Sequence, residues 1–313
     1  MTELLSPDPI GLARAAALLR GGAVVAIPTE TVYGLAGNAA DDQAVAGIYA
    51  AKGRPSFNPL IVHVADRAGV DRLVEVGAEA EKLIAAFWPG PLTLVLPLKE
   101  GAPVSPLVTA GLPTLAVRMP AHPLARDLLT VFGGGLAAPS ANPSGRISPT
   151  EAAHVLSGLD GEIAAVVDGG RCGVGLESTI VGFDDAGRAV VLREGGVTAE
   201  RLAEVLGYPL DTRAEGEAIN APGQMTSHYA PQGVMRLNAT VAEPGEVMLG
   251  FGATGGDLTL SASGDLIEAA SNLFRMMHAL DEMGAERIAV APVPDEGLGR
   301  AINDRLRRAA APR

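Results

Sequence analysis

Apolar and polar positions follow two rhythms along this chain. Short β-branched runs at 24–27, 60–64, 92–96, 115–119, 164–167, 179–183 and 190–192 predict strands, and alanine- and leucine-rich stretches at 10–20, 41–51, 78–87 and 150–156 predict helices. Interleaved in this way they predict an α/β domain over residues 1–206, with about seven strands in one large sheet. Periodicity disappears between Gly207 and Gly233, where glycine, proline, acidic and small polar residues take over, so 207–232 reads as a linker. Beyond it a βαβα pattern returns. Residues 247–249 and 288–291 predict strands, and 265–283 predicts a helix with Leu266, Ala270, Leu273, Phe274, Met277 and Leu280 on one face. Gly284 suits that helix's stop, and a last helix is predicted at 299–310. Residues 233–313 therefore predict a second, smaller Rossmann-like α/β domain. Gly250, Gly252 and Gly255 match a dinucleotide fingerprint, but no helix start follows them, so they read as an ordinary glycine-rich turn.

Composition narrows the choice of function. With 313 residues, 48% hydrophobic, the chain can bury a substantial core, and a net charge of −12 disfavours passive coating of RNA or anionic lipid. A single cysteine, Cys172, excludes an internal disulfide framework and a zinc site built on several thiolates. The five histidines, at 63, 122, 154, 228 and 278, lack metal-ligand spacing, so no protein-built metal site is expected. With no signal peptide and no 18-residue apolar run, the sequence predicts a cytoplasmic protein without a membrane partner.

The candidate chemistry lies in a few polar clusters. Only three of the 24 basic residues are lysines, and one of them, Lys52, stands two positions before Arg54 in Lys-Gly-Arg-Pro-Ser-Phe-Asn-Pro. Pro55 and Pro59 make this a stiff loop holding two cations at fixed separation, which suits an anion; cations stabilising a helix C-terminus are the plainer reading. Alternation on 114–118 places Thr114, Ala116 and Arg118 on one strand face, where the planar fork of Arg118 could capture a carboxylate or make a surface ion pair. His63 ends an apolar run and reads equally well as a strand-end histidine with a backbone partner. Ser148 and Glu151 fit a capping box with Pro149 at the first helical position, placing a helix N-terminus beside the Ser140, Asn142 and Ser144 loop. No Walker loop is present, so a nucleotide would be held by dispersed cations, with Lys52, Arg54, Arg118, Arg146 and Arg193 as candidates. Cys172, among glycines, reads as a loop filler.

Taken in order, PTETVYGL, KGRPSFNPL, WPGPLTL, TLAVRMP, APSANPSG, LESTIV and LREG resemble the YrdC-domain family across most of residues 10–206. The linker segment APGQMTSHYAP and the tail GRAINDRL resemble its long two-domain form, the threonylcarbamoyl-AMP synthases. The resemblance implies a large twisted mixed sheet flanked by helices, and condensation of L-threonine, bicarbonate and ATP to L-threonylcarbamoyladenylate with release of pyrophosphate. The product would pass to a tRNA threonylcarbamoyl transferase complex, with at most weak contact to tRNA itself. By resemblance, Thr31, His63, Arg118, Ala138 and Ser178 would surround threonine. Lys52, Arg54, Asn58, Thr114, Ser140, Asn142, Ser148, Arg193 and Tyr229 would hold ATP, its Mg2+ carried on the phosphates. Lys52 and Arg54 would be the catalytic charge stabilisers, and a lid bearing His228 and Tyr229 would exclude water. Where many relatives carry basic residues before His228, this chain has Gln-Met-Thr-Ser. The alternative is a non-catalytic RNA-binding module of the same fold, which salt-sensitive RNA binding without turnover would reveal.

Overall fold

Aspartate and threonine side chains start many of the helices. Asp8, Asp41, Asp66, Thr198 and Asp265 each accept backbone N–H bonds from the first turn that follows them. The structure, a computed structural model, describes residues 1–55, 57–212 and 228–312. Eleven strands form its first sheet: β1 Glu3–Leu5, β2 Val25–Ile27, β3 Gly34–Asn38, β4 Ile61–His63, β5 Leu92–Pro97, β6 Thr114–Arg118, β7 Leu136–Ala137, β8 Ala165–Val167, β9 Thr179–Phe183, β10 Ala189–Arg193 and β11 Asp211–Thr212. Their order is β1-β8-β2-β3-β7-β4-β6-β5-β9-β10-β11, with parallel and antiparallel pairs mixed. The helices between them are α1 Pro9–Arg20, α2 Asp42–Lys52, α3 Arg67–Leu73, α4 Ala78–Phe87, α5 Pro106–Thr109, α6 Pro123–Phe132, α7 Ala152–Leu159 and α8 Ala199–Leu206.

The central strands are buried on both faces, which explains why they read as unbroken apolar runs. Along β2 the alternation separates two cores: Val25 and Ile27 pack with Leu12 and Leu19 of α1, while Ala26 joins the cluster of Val62, Leu83 and Leu94 on the opposite face. The second sheet, β12 Val234–Arg236, β13 Val247–Gly250, β14 Leu258–Thr259 and β15 Arg287–Val290, is all parallel in the order β12-β15-β13-β14. Helices α9 Leu266–Glu282 and α10 Leu298–Ala310 complete it. Its core includes Val32, Ile147 and Leu176 from the first part of the chain, so one apolar cluster spans both sheets' surroundings. Gly175, at φ +73°, is required there: a Cβ would come within 2.6 Å of the Ala270 carbonyl.

Several expectations are corrected. The first sheet has eleven strands rather than about seven: β3, with two glycines, an alanine and an asparagine among its five residues, offers no β-branched signal, and β1, β7 and β11 have only two or three residues each. Helices α3, α5, α6 and α8 also lie outside the stretches read as helical. The expected linker contains β11, paired in parallel with β10, while residues 213–227, including the Gln-Met-Thr-Ser segment, lie outside the described residues. The capping box does not form. Helix α7 starts at Ala152 with Glu151 as a cap that makes no side-chain bond, because Ser148 donates instead to the buried Glu177 carboxylate at 2.6 Å. The glycines at 250–255 form a turn, and α9 starts only after Asp265.

Candidate active site

The ends of six strands converge on one hollow. Register pairs His63 at the end of β4 with Arg118 at the end of β6, so both side chains emerge at the same level. Ala138 directly follows β7, Ser178 directly precedes β9, Arg193 ends β10, and Gly34 at the start of β3 bridges to Ser140. Gly195 lets the chain after β10 lie against Glu177 and Ser178; a Cβ there would stand 2.3 Å from the Glu177 carbonyl. The hollow holds about 530 Å³ of space between protein atoms, counted out through its open mouth. Thr31, Arg54, His63, Arg118, Ala138, Ser140, Ser178, Arg193, His228 and Tyr229 all line it.

Thr29 shapes one wall. Its hydroxyl donates to the Val32 carbonyl at 2.6 Å and accepts from the N–H groups of Thr31 and Val32, closing a tight polar turn. Against that turn lies Arg118, 3% exposed. Its Nη1 donates to Thr31 Oγ1 at 2.9 Å, its Nη2 to Glu30 Oε1 at 2.5 Å, and its Nε to the Gly90 carbonyl at 3.1 Å. Three of the five guanidinium N–H groups are thereby fixed, leaving two for a ligand. Burial raises the Glu30 carboxyl, but the charge and hydrogen bond of Arg118 outweigh it and hold the group below its ordinary value. His63 is pulled down to about 3 by burial and then by Arg118, so it is neutral at physiological pH. Its Nδ1 is buried without a hydrogen-bond partner among the described residues, as are His228 Nδ1 and Glu30 Oε2.

The same hollow carries two further cations. Arg193 donates from Nε and Nη2 to the Ser178 carbonyl, at 3.2 and 2.8 Å, and the Ser178 hydroxyl pairs with Thr93 Oγ1 at 2.7 Å. Arg54 follows Gly53, whose left-handed conformation ends α2, and is tied to the carbonyls of Asn58 and Pro59 at 3.3 and 3.0 Å. Burial, with Arg193 nearby, lowers Arg54 to about 10, so it keeps its charge at neutral pH.

The remaining expected site residues are placed differently. Lys52 does not line the hollow. It lies behind the wall, its Nζ donating to the Ser140 and Asn142 carbonyls, both at 2.5 Å, and burial followed by Arg54 pulls its ammonium well below the ordinary value. Here Lys52 organises the Ser140–Asn142 loop. Asn142 braces the same loop through the Pro143 and Arg146 carbonyls, Asn58 supports Arg54 through its backbone, and Ser148 is engaged with Glu177. Thr114 stands at the other end of β6 from Arg118 and lines a separate hollow beside Phe183. Arg146 is exposed, in a cleft with His154 and His278. Burial pushes the Cys172 thiol up to about 12, which suits a packing role. Sequence reasoning gave no role to Glu30 and Glu177, although each adjoins a predicted ligand residue in its motif.

Among the described residues no group of His, Cys, Asp and Glu could hold a metal ion, and no helix is long and apolar enough to cross a membrane. A strand-end cavity of buried arginines and hydroxyls, over a large mixed sheet joined to a small parallel-sheet unit, is the architecture of a YrdC-like protein. Residues 17–195 match the Sua5_yciO_yrdC family, described as "Telomere recombination", and residues 197–311 match the family described as "Threonylcarbamoyl-AMP synthase, C-terminal domain". The threonylcarbamoyl-AMP synthase of Bacillus subtilis (strain 168) is 43% identical over an alignment covering 100% of this chain and 96% of its own length. That of Pyrococcus abyssi is 40% identical over 95% and 93%. A crystal structure of P. abyssi Sua5 complexed with L-threonine superposes with a TM-score of 0.90 at 37% identity, covering 99% of this chain and 97% of that one. The chain belongs to the threonylcarbamoyl-AMP synthase family, a group of nucleotidyltransferases acting in tRNA modification.

Proposed function

We propose that this chain condenses L-threonine, bicarbonate and ATP into L-threonylcarbamoyladenylate and pyrophosphate, with different cations of its hollow serving the two substrates. The observation that carries this reading is the fixed Arg118 fork beside Thr31, lining one hollow with the buried Arg54 and Arg193. The two spare N–H groups of Arg118 suit threonine's carboxylate. The unpartnered Nδ1 of neutral His63 suits a hydroxyl or amine, and Thr31, Ala138 and Ser178 supply the mixed polar and apolar surface that threonine's side chain needs. Arg54, Arg193 and Ser140 suit the triphosphate, with Lys52, Asn58, Asn142 and Ser148 supporting their loops and Tyr229 covering them. Mg2+ would arrive on the phosphates as part of the substrate.

Threonine's amine adds to carbon dioxide or bicarbonate to give a carbamate, losing a proton to solvent in the first case and releasing water in the second. The carbamate oxygen then attacks the α-phosphorus, forming the mixed anhydride as the bond to pyrophosphate breaks. No covalent enzyme intermediate is needed, so catalysis rests on positioning and charge stabilisation. Residues 1–206 would act as the catalytic domain, 207–232 as the lid and 233–313 as the small domain that anchors it. The enzyme would act in the cytoplasm and pass its product to a tRNA threonylcarbamoyl transferase complex. Pyrophosphate release in single-omission assays tests the reading: release should require threonine, bicarbonate and ATP together. Release without threonine, or salt-sensitive RNA binding with no turnover, would overturn it.

A further inference from the structure

Helix α10 of the second unit sends one charged side chain all the way to the wall of the first unit's cavity. Arg305 is fully buried at 0% exposure. Its Nε donates to Glu177 Oε2 at 3.1 Å, its Nη1 to Asp304 Oδ2 at 2.9 Å, and its guanidinium lies 5.5 Å from the centre of the Tyr229 ring. Burying an arginine is costly unless its partners compensate, so this position calls for an explanation beyond packing. Glu177 supplies one. It lines the cavity and sits among the cations that face the proposed triphosphate. Among the described residues the cavity lining holds Arg54, Arg118 and Arg193 against Glu177, and Glu30 behind the lining is taken up by Arg118. Glu30 is already matched by Arg118, so without Arg305 the Glu177 charge would fall on Arg193 and weaken that cation's hold on incoming phosphates.

We propose that Arg305 is a positioning residue for the nucleotide, neutralising Glu177 and holding Tyr229 over the phosphate wall, so that the second unit completes the charge of a site it does not line. The inference rests on the nucleotide reading of that wall. Tyr229 is fixed on its other sides as well: its ring packs edge-on against His228 at 4.0 Å and against Phe274 of α9 at 5.4 Å, with its backbone at φ +63°. Burial raises the Glu177 carboxyl, but Arg305, Arg193 and the Ser148 hydrogen bond outweigh it and keep the group ionised, so its charge must be met at neutral pH.

The test measures binding of a non-hydrolysable ATP analogue by calorimetry, together with KM for ATP and for threonine, in the full-length chain. Arg305→Met should weaken the analogue and raise KM for ATP by more than tenfold, with KM for threonine within about twofold. Adding Glu177→Gln to that variant should restore most of the ATP affinity, because it removes the unmatched charge. A tie that merely joins the two units would move both KM values together and would not be rescued by Glu177→Gln; either result overturns the proposal, as does unchanged ATP affinity in Arg305→Met. Should Arg305→Met fail to fold, Glu177→Gln alone decides: it removes the anion from the cavity wall while the Arg305 charge stays behind it, and should tighten the analogue; weaker or unchanged binding would overturn the proposal. A natural chain that binds no analogue refutes the nucleotide reading and this inference with it, whereas normal binding in the natural chain and an unaffected variant refute only the inference.

Discussion

Replacing Arg118 with lysine isolates what the guanidinium fork contributes, because the charge beside Glu30 is kept while the fixed geometry is lost. Arg118 is 3% exposed, so its interactions are little screened by solvent. A lysine ammonium has three donors on a flexible stem, and three acceptors already surround this position: Glu30, Thr31 and the Gly90 carbonyl. Serving them leaves little for a ligand carboxylate. Losing one hydrogen bond to a charged group costs about 1.5–3 kcal/mol. At about 1.4 kcal/mol per factor of ten, Arg118→Lys should raise KM for threonine by roughly 10- to 150-fold. KM for ATP should stay within about twofold if Arg54 and Arg193, as proposed, serve the nucleotide. Initial rates of pyrophosphate release at varied threonine and saturating ATP measure the effect, with thermal unfolding as the folding control. A folded variant whose threonine KM rises by less than about twofold would refute the assignment of Arg118 to the carboxylate.

Arg54→Met should lower kcat by more than tenfold through lost charge stabilisation, and Lys52→Ala should do the same by releasing the Ser140 and Asn142 carbonyls; near-normal turnover in both would remove them from the phosphate site. Stability should fall as pH drops below about 6.5. His63 and His228 are held near 3 by burial, so the unfolded chain takes up protons in this window that the folded chain refuses, at about 1.4 kcal/mol per histidine per pH unit. Above 6.5 this contribution is constant. Thermal unfolding across pH 5–8 checks it: His63→Asn should flatten the fall, and a midpoint that does not change between pH 7 and 5 would contradict the burial argument. Removing residues 207–313 takes away Tyr229 and Arg305 and uncovers Val32, Ile147 and Leu176, so turnover should be severely impaired; full activity in the truncated chain would refute the lid and anchor roles.

What the sequence made legible follows physical signal strength. Runs such as Leu92–Leu96 announce their strands because both faces are buried, and α9 announces itself by a long amphipathic period. Strand β3 does not, since Gly-Leu-Ala-Gly-Asn carries no β-branched signal and one of its two partners, β7, lies far along the chain. The same divide runs through the site. Arg118 stood out by strand alternation and Arg193 as a dispersed cation, the family resemblance added roles for His63 and Ser140, and the strand ends bring all four together. Glu177 and Arg305 lie 128 residues apart, and a carboxylate in one motif and an arginine on a distant helix carry no local mark of their pairing. Ser148 shows the opposite failure: a good local capping signal lost to a buried charge that needed its hydroxyl more.

The central claim, that one cavity joins an amino acid to a nucleotide through a captured carbon, is tested most directly by tracing that carbon. With 13C-labelled bicarbonate, threonine and ATP, mass spectrometry of a quenched reaction should show a threonylcarbamoyl-adenylate carrying one added 13C, formed in step with pyrophosphate. Pyrophosphate without labelled adduct, or a threonyl-adenylate lacking the carbamoyl carbon, would contradict it.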